Sequence, residues 1–237
     1  PIASDEIASL MIPYRTARAG GTFDDGIRRA LQRILVSPAF LFRVEADPAG
    51  IAPGTPYRIS DLELASRLSF FLWGSIPDDR LIQLAASKQL SQKAVLNAEV
   101  KRMLADPKAA ALADNFAGQW LEIRNLDSVK PDPKLFPEWG PELKDAMRTE
   151  TRMFFESMLR DNRPLGEFLD AKYTFVNEVL AKHYGMKGVT GADFRRVELT
   201  SAERGGILSH ASVLTVSSYP TRTSPVIRGK YVLQNIL

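Results

Sequence analysis

Apolar residues recur at helical spacing along almost the whole chain, and polar start and stop signals divide the pattern into short helices. Thr22-x-x-Asp25 has the form of a capping box, and Ile27, Leu31, Ile34 and Leu35 follow it on one face. Ser37-Pro38 ends that helix, because proline restricts the residue before it, and opens a short turn with Phe40, Leu41 and Phe42. An earlier helix holds Ile7, Leu10, Met11 and Tyr14, and Pro13 is predicted to kink or shorten it. A second capping box, Ser60-x-x-Glu63, precedes Leu64, Leu68, Phe71 and Leu72, with Gly74 as the C-terminal cap. Pro77, Asp78 and Asp79 open the next helix, and Ser91 is expected to cap one bearing Val95, Leu96, Val100, Met103 and Leu104. After Asp106-Pro107, Leu112, Phe116, Trp120 and Ile123 recur at spacings of four, four and three, the pattern expected of a central buried helix.

The longest helix pattern runs from Pro141 to Arg160, with Leu143, Met147, Phe154 and Met158 inward and Arg152–Glu156 and Glu156–Arg160 spaced to pair. Thr174 is expected to cap a helix ending at His183-Tyr184-Gly185, residues 194–199 alternate as a short extended segment, and 207–216 read as helical. Ser224-Pro225 starts a last helix. The fold class predicted is all-α: an irregular bundle of about 9–12 helices with long Pro-rich loops and little or no β. The expected organisation is a small helical segment over 1–45, a linker over 46–57 rich in Pro and Gly, a main helical domain over 58–200, and the start of a further domain over 201–237. Pro1 directly precedes a helix start, and Asn235-Ile236-Leu237 carries no cap, so both ends are expected to be cuts through a longer protein.

Composition narrows the function classes. The 237 residues are 45% hydrophobic and 25% charged, ordinary for a globular protein, and no apolar run reaches the roughly 20 residues that span a bilayer. Net charge is +3 with the two signs interspersed; without a basic stripe or a recognised module, nucleic acid is not an expected partner. With no cysteine, disulfides, thiolate metal sites and covalent c-type haem attachment are excluded within these residues.

Motif chemistry is sparse. The two histidines, His183 and His210, are far apart, and no Glu-x-x-His or His-x-x-x-His pair occurs, so no metal site is expected. No Gly-x-Ser-x-Gly elbow and no phosphate or dinucleotide loop appears, and Asp24/Asp25 and Asp78/Asp79 sit where helix dipoles favour anions. No catalytic residue is assigned. The densest unusual stretch is 217–230, SSYPTRTSPVIRGK, where Arg222, Thr223, Ser224, Arg228 and Lys230 surround a helix start suited to a carboxylate or phosphate. The alternative is a rigid, self-bonded loop before an ordinary helix.

Several strings resemble planctomycete-type secreted cytochrome-like proteins. They include the run from Ala30 through Ser37-Pro38 to Glu45, the run from Leu64 to Gly74 followed by Ile76-Pro77-Asp78-Asp79, Asn115-Phe116-Ala117-Gly118-Gln119-Trp120-Leu121, Tyr173 to Glu178, and Arg204 to Lys230. The resemblance implies an exported protein, periplasmic or extracellular, in which a haem c segment follows these residues, with no cofactor inside them. It leads to three readings. In the first, the chain is a non-catalytic helical scaffold of a c-type-cytochrome-linked protein, supporting a redox module; Arg222, Arg228 or Lys230 would meet a haem propionate, and His183, His210 or Met186 would be a distal ligand. The second is an extracellular ligand- or glycan-binding module using the 217–230 loop with Trp139 and Tyr219. The third is a cofactor-free hydrolase.

Overall fold

The computed structural model describes residues 4–42, 45, 48–52, 54–200 and 203–237; of the expected linker, Ala46, Asp47 and Pro53 lie outside the described residues, as do Ser201 and Ala202. The chain forms two compact units, Pro1–Arg58 and Ile59–Leu237.

In the first unit, α1 (Ser4–Ala19) and α2 (Phe23–Leu35) pack together and lead to a short α3 (Pro38–Leu41). Thr22 and Asp25 form the reciprocal capping box at the start of α2. Pro13 does not end α1: the helix continues through it, and within that stretch the Thr16 hydroxyl donates to the Ile12 carbonyl at 3.0 Å. One lost backbone donor is tolerated at this half-buried site, so the helix is not shortened there as expected.

The second unit begins with α4 (Asp61–Trp73), started by the Ser60/Glu63 box and stopped by Gly74, which takes the left-handed φ of 61° that a non-glycine cap resists. Helix α5 (Asp79–Ala86) follows, with the Asp78 carboxylate accepting from Leu81 N. Helix α6 (Lys93–Ala105) starts at Gln92 rather than Ser91, whose backbone N–H instead donates to Asp61 at 3.1 Å. These three helices are tied by polar bonds. Trp73 Nε1 donates to the Met103 carbonyl at 2.9 Å, and the buried Glu99 accepts from Arg80 and Arg102, each at 2.7 Å.

Residues 107–120 form a composite rod: a 3-10 turn (Pro107–Ala109), α7 (Ala110–Leu112), a π-helical turn (Ala113–Ala117) and α8 (Gly118–Trp120). The π turn rotates the inward face, so Ala113 and Ala117 are buried and Phe116 is 44% exposed. The expected central helix is therefore not the centre. That place belongs to α9 (Pro141–Arg160), which buries Leu143, Ala146, Met147, Glu150, Thr151, Phe154, Phe155 and Met158. Its outer face carries the expected pairs, Arg152–Glu156 at 2.8 Å and Arg160–Glu156 at 3.6 Å.

Around α9 lie α10 (Glu167–Asp170), β1 (Tyr173–Val176), α11 (Glu178–His183), β2 (Arg195–Glu198), α12 (Ala211–Val216) and α13 (Pro225–Asn235). The expected extended segment is β2, and it pairs antiparallel with β1, Thr174 opposite Val197. Thr174 therefore does not cap α11; Asn177 does, its side chain accepting from Leu180 N at 3.0 Å. Ser224 caps α13 by accepting from Ile227 N, with Pro225 in the first turn. Among the described residues the molecule is predominantly α-helical, with a single small two-stranded sheet.

Candidate functional site

Two groups of polar residues stand out, one sealed inside the second unit and one open. The sealed group is built on α9. Glu150 lies on the apolar stripe between Met147 and Phe154 and is 1% exposed. Its Oε1 accepts from Thr174 Oγ1 at 2.6 Å and its Oε2 from the Tyr184 hydroxyl at 2.5 Å. The Tyr184 oxygen in turn accepts from Ala211 N at 2.7 Å, and the Arg204 guanidinium lies 3.9 Å over the Tyr184 ring. Burial pushes the Glu150 carboxyl up to about 7, against the bonds from Thr174 and Tyr184 and the charge of Arg204. Burial first, and the neighbouring Glu150 second, hold the Tyr184 phenol well above its usual range.

One residue further along α9, Thr151 Oγ1 meets His210 Nδ1 at 3.2 Å and Ser212 Oγ at 2.6 Å. His210 is 2% exposed and stands edge-on to Phe154, with ring centroids 5.0 Å apart. Burial, aided by the charge of Arg204, pushes its pKa down to about 3, so the ring is neutral; its Nε2 has no hydrogen-bond partner among the described residues. The network fastens β1, α11 and α12 to α9. Glu150→Ala removes the shared acceptor, leaves the Thr174 and Tyr184 hydroxyls short of a partner and opens a cavity. It is expected to cost about 3 kcal/mol at neutral pH, read by urea unfolding.

The open group surrounds a cavity of about 220 Å³. Phe136, Trp139, Leu143 and Met147, from the 125–139 segment and α9, line it together with Leu214, Ser218, Tyr219, Arg222, Thr223 and Arg228, from α12 and the 217–230 stretch, and His183 and Glu138 also line it. The 125–139 and 217–230 segments are joined by the Asp132 N–H donating to the Pro220 carbonyl at 3.0 Å, and the 217–230 loop closes on itself through a Ser218–Thr223 bridge. His183 lies 3.6 Å from Glu138. Burial, and more weakly Arg204, holds His183 below its usual pKa, although Glu138 pulls the other way.

Of the residues singled out in the sequence, the structure brings together His183, Arg222, Thr223 and Arg228, with Trp139 and Tyr219 beside them. It does not bring in His210, which is sealed behind α9, or Lys230, which is exposed on α13 away from the cavity lining. Ser224 is buried as the cap of α13. Met186 packs against the core and borders a different cleft with Tyr184 and Arg204. Glu150, Thr174, Tyr184 and Arg204 were not singled out. The available signal was Glu150 itself, a carboxylate three residues after Met147 and four before Phe154, on the stripe that α9 buries. Among the described residues no group of three or more His, Cys, Asp or Glu is placed to hold a metal ion, and no helix is long and apolar enough to cross a membrane.

The chain belongs to the family described as PSD4, protein of unknown function (DUF1592), whose model matches residues 59–186. Residues 1–45 match PSD5, protein of unknown function (DUF1595), and residues 204–237 match PSCyt3, protein of unknown function (DUF1588). These are planctomycete cytochrome-associated domain families, the type that the sequence strings resemble. No curated protein and no solved structure matches the chain.

Proposed function

We propose that these residues form a non-catalytic helical scaffold in an exported c-type-cytochrome-linked protein, supporting a redox or electron-transfer module that lies outside them. One observation carries the reading: the segment matched by PSCyt3, residues 204–237, supplies the two arginines that line the open cavity, and among the described residues neither has a carboxylate partner. The chain has no cysteine, so a haem c would be tethered elsewhere. A cavity of about 220 Å³ is below the roughly 300–1,000 Å³ of sites for drug-sized ligands, too small for a porphyrin but fitted to an acid group at its edge. Arg222 and Arg228 would hold such a propionate by charge-assisted hydrogen bonds. His210 is unsuited as a haem ligand, being sealed with Nδ1 turned to Thr151. The test is a longer chain carrying the cytochrome segment, expressed with haem c maturation. A covalent c-haem spectrum is expected, with a reduction potential that moves in Arg222→Gln. A product without covalent haem would sink the reading.

A second reading, an extracellular ligand- or glycan-binding module, is favoured by the placing of Trp139 and Tyr219 on that same cavity. A hydrolase has no such support. The perturbed carboxylate, Glu150, is sealed, and among the described residues the hydroxyl that meets a histidine ring is that of Thr151.

A further inference from the structure

We infer that the cavity lined by Trp139, Tyr219, Arg222 and Arg228 binds a small organic carboxylate with an apolar body, an arylalkanoate in its simplest form. The inference rests on the ligand-binding reading above and names its ligand class.

The polar end comes from Arg228. Its Nη2 donates to Ser218 Oγ at 3.0 Å and, more weakly, to the Leu214 carbonyl at 3.4 Å. Its Nε is shut off from solvent and has no acceptor. A guanidinium N–H taken out of water and left unbonded is costly; sealed as it stands, it would meet a ligand oxygen only after a shift of the side chain. Among the described residues neither Arg228 nor Arg222 forms an ion pair; Arg222 lies against the Tyr219 ring, 5.2 Å from its centre. The one carboxylate lining the cavity, Glu138, is engaged with His183. Arg228 also sits in the first turn of α13, where the helix dipole favours a negative charge.

The rest of the cavity is oily. Phe136, Trp139, Leu143, Met147 and Leu214 offer an arriving ligand carbon surface and few hydrogen bonds. A sugar would leave hydroxyls unmatched there, and a bare inorganic anion would leave the apolar wall unused. An apolar cavity of about 150 Å³ is enough to hold benzene. The 220 Å³ here admits one ring with a short acid arm. A carboxylate is the group whose two oxygens match the guanidinium fork.

The experiment is calorimetric titration of the full chain with 3-phenylpropionate, with 3-phenylpropanamide, acetate and cellotriose as matched probes. Saturable one-to-one binding of 3-phenylpropionate is expected. The amide keeps the shape without the charge, acetate keeps the charge without the body, and each should bind at least about tenfold more weakly. Arg222→Gln and Arg228→Gln should each lower the affinity for the acid about tenfold. Arg228→Gln removes two internal bonds and can unsettle the loop, so Arg222→Gln, with an unchanged melting temperature, decides. Equal binding of acid and amide, or an affinity that neither variant moves, would overturn the inference. Binding of the amide or cellotriose without the acid sinks the carboxylate but leaves a ligand-binding module; binding of none sinks both. In the haem-bearing longer protein, loss of 3-phenylpropionate binding would identify the resident acid as a propionate, and unchanged binding a free small acid.

Discussion

Gly206→Ala is expected to be the most damaging single-methyl change in the second unit, costing at least about 4 kcal/mol, enough to leave much of the chain unfolded at 37 °C. Gly206 has φ 56° and ψ −175°, a region open almost only to glycine. Space forbids the change as well. A Cβ there would lie 2.2 Å from the Leu169 carbonyl carbon and 2.3 Å from its oxygen, and both are backbone atoms that cannot swing away. The close approach is fixed by the Gly206 N–H donating to the Ala171 carbonyl at 2.9 Å. This contact sets the 3-10 turn Ile207–Ser209, and therefore His210 and α12, against the end of α10. Urea unfolding followed by circular dichroism measures the loss; a cost below about 1 kcal/mol, that of an ordinary glycine replacement, would refute this account of the turn.

The second large effect is on acid stability. His210 is neutral in the folded chain, with its pKa pushed from 6.5 down to about 3. The unfolded chain therefore takes up this proton first. The stability that rests on neutral His210 is complete above about pH 6.5 and is lost as pH falls towards 3, in all about 5 kcal/mol at about 1.4 kcal/mol per unit. Glu150 works in the opposite sense. Its folded pKa is raised from 4.5 to about 7, so its contribution is complete below 4.5 and is lost as pH rises through 7. The two slopes oppose each other between 4.5 and 6.5, leaving His210 alone of the pair on the acid side. His210→Leu removes the acid term. Thr151 keeps Ser212 and the Met147 carbonyl as partners, so at pH 8 the substitution is expected to cost under about 1.5 kcal/mol. Between pH 7.5 and 3 its stability relative to wild type should rise by about 5 kcal/mol. Parallel stability curves for the two proteins would show that His210 is not sealed.

What the sequence made legible was mostly local. Both capping boxes, the Pro141 start of α9, the Ser224-Pro225 start of α13 and the Arg152–Glu156–Arg160 ladder are written within a few residues and fold as written. Features set by tertiary structure were not. The spacing of Leu112, Phe116 and Trp120 assumes a regular helix, and the π turn at Ala113–Ala117 displaces it by one residue. Strand β1 is four residues long, and its partner lies across α11, so no local pattern announces it. Thr174 has the residue type of a cap but is held in β1 facing the Glu150 carboxylate. The candidate site divides in the same way. Its 217–230 wall is contiguous and visible, while His183, Glu138 and Met147 reach it only through the packing of α9, α11 and the 125–139 loop.

This division gives the molecule its functional logic. Glu150, Tyr184 and His210, side chains that would suit acid–base chemistry, are bonded into the interior and hold α9, β1 and α12 in place. Arg222 and Arg228, which have no carboxylate partner among the described residues, line a cavity framed by that core. The two histidines report on the two regions separately, one sealed and one at the cavity. A nitrogen NMR titration of the histidine-labelled chain, with and without 3-phenylpropionate, therefore reads both at once. The account expects His210 to stay neutral in a single tautomer until the pH approaches about 3 and to ignore the acid, while His183 titrates below its usual 6.5 and shifts when the acid is added. A His210 that titrates near 6.5, or that responds to the acid in place of His183, would contradict it.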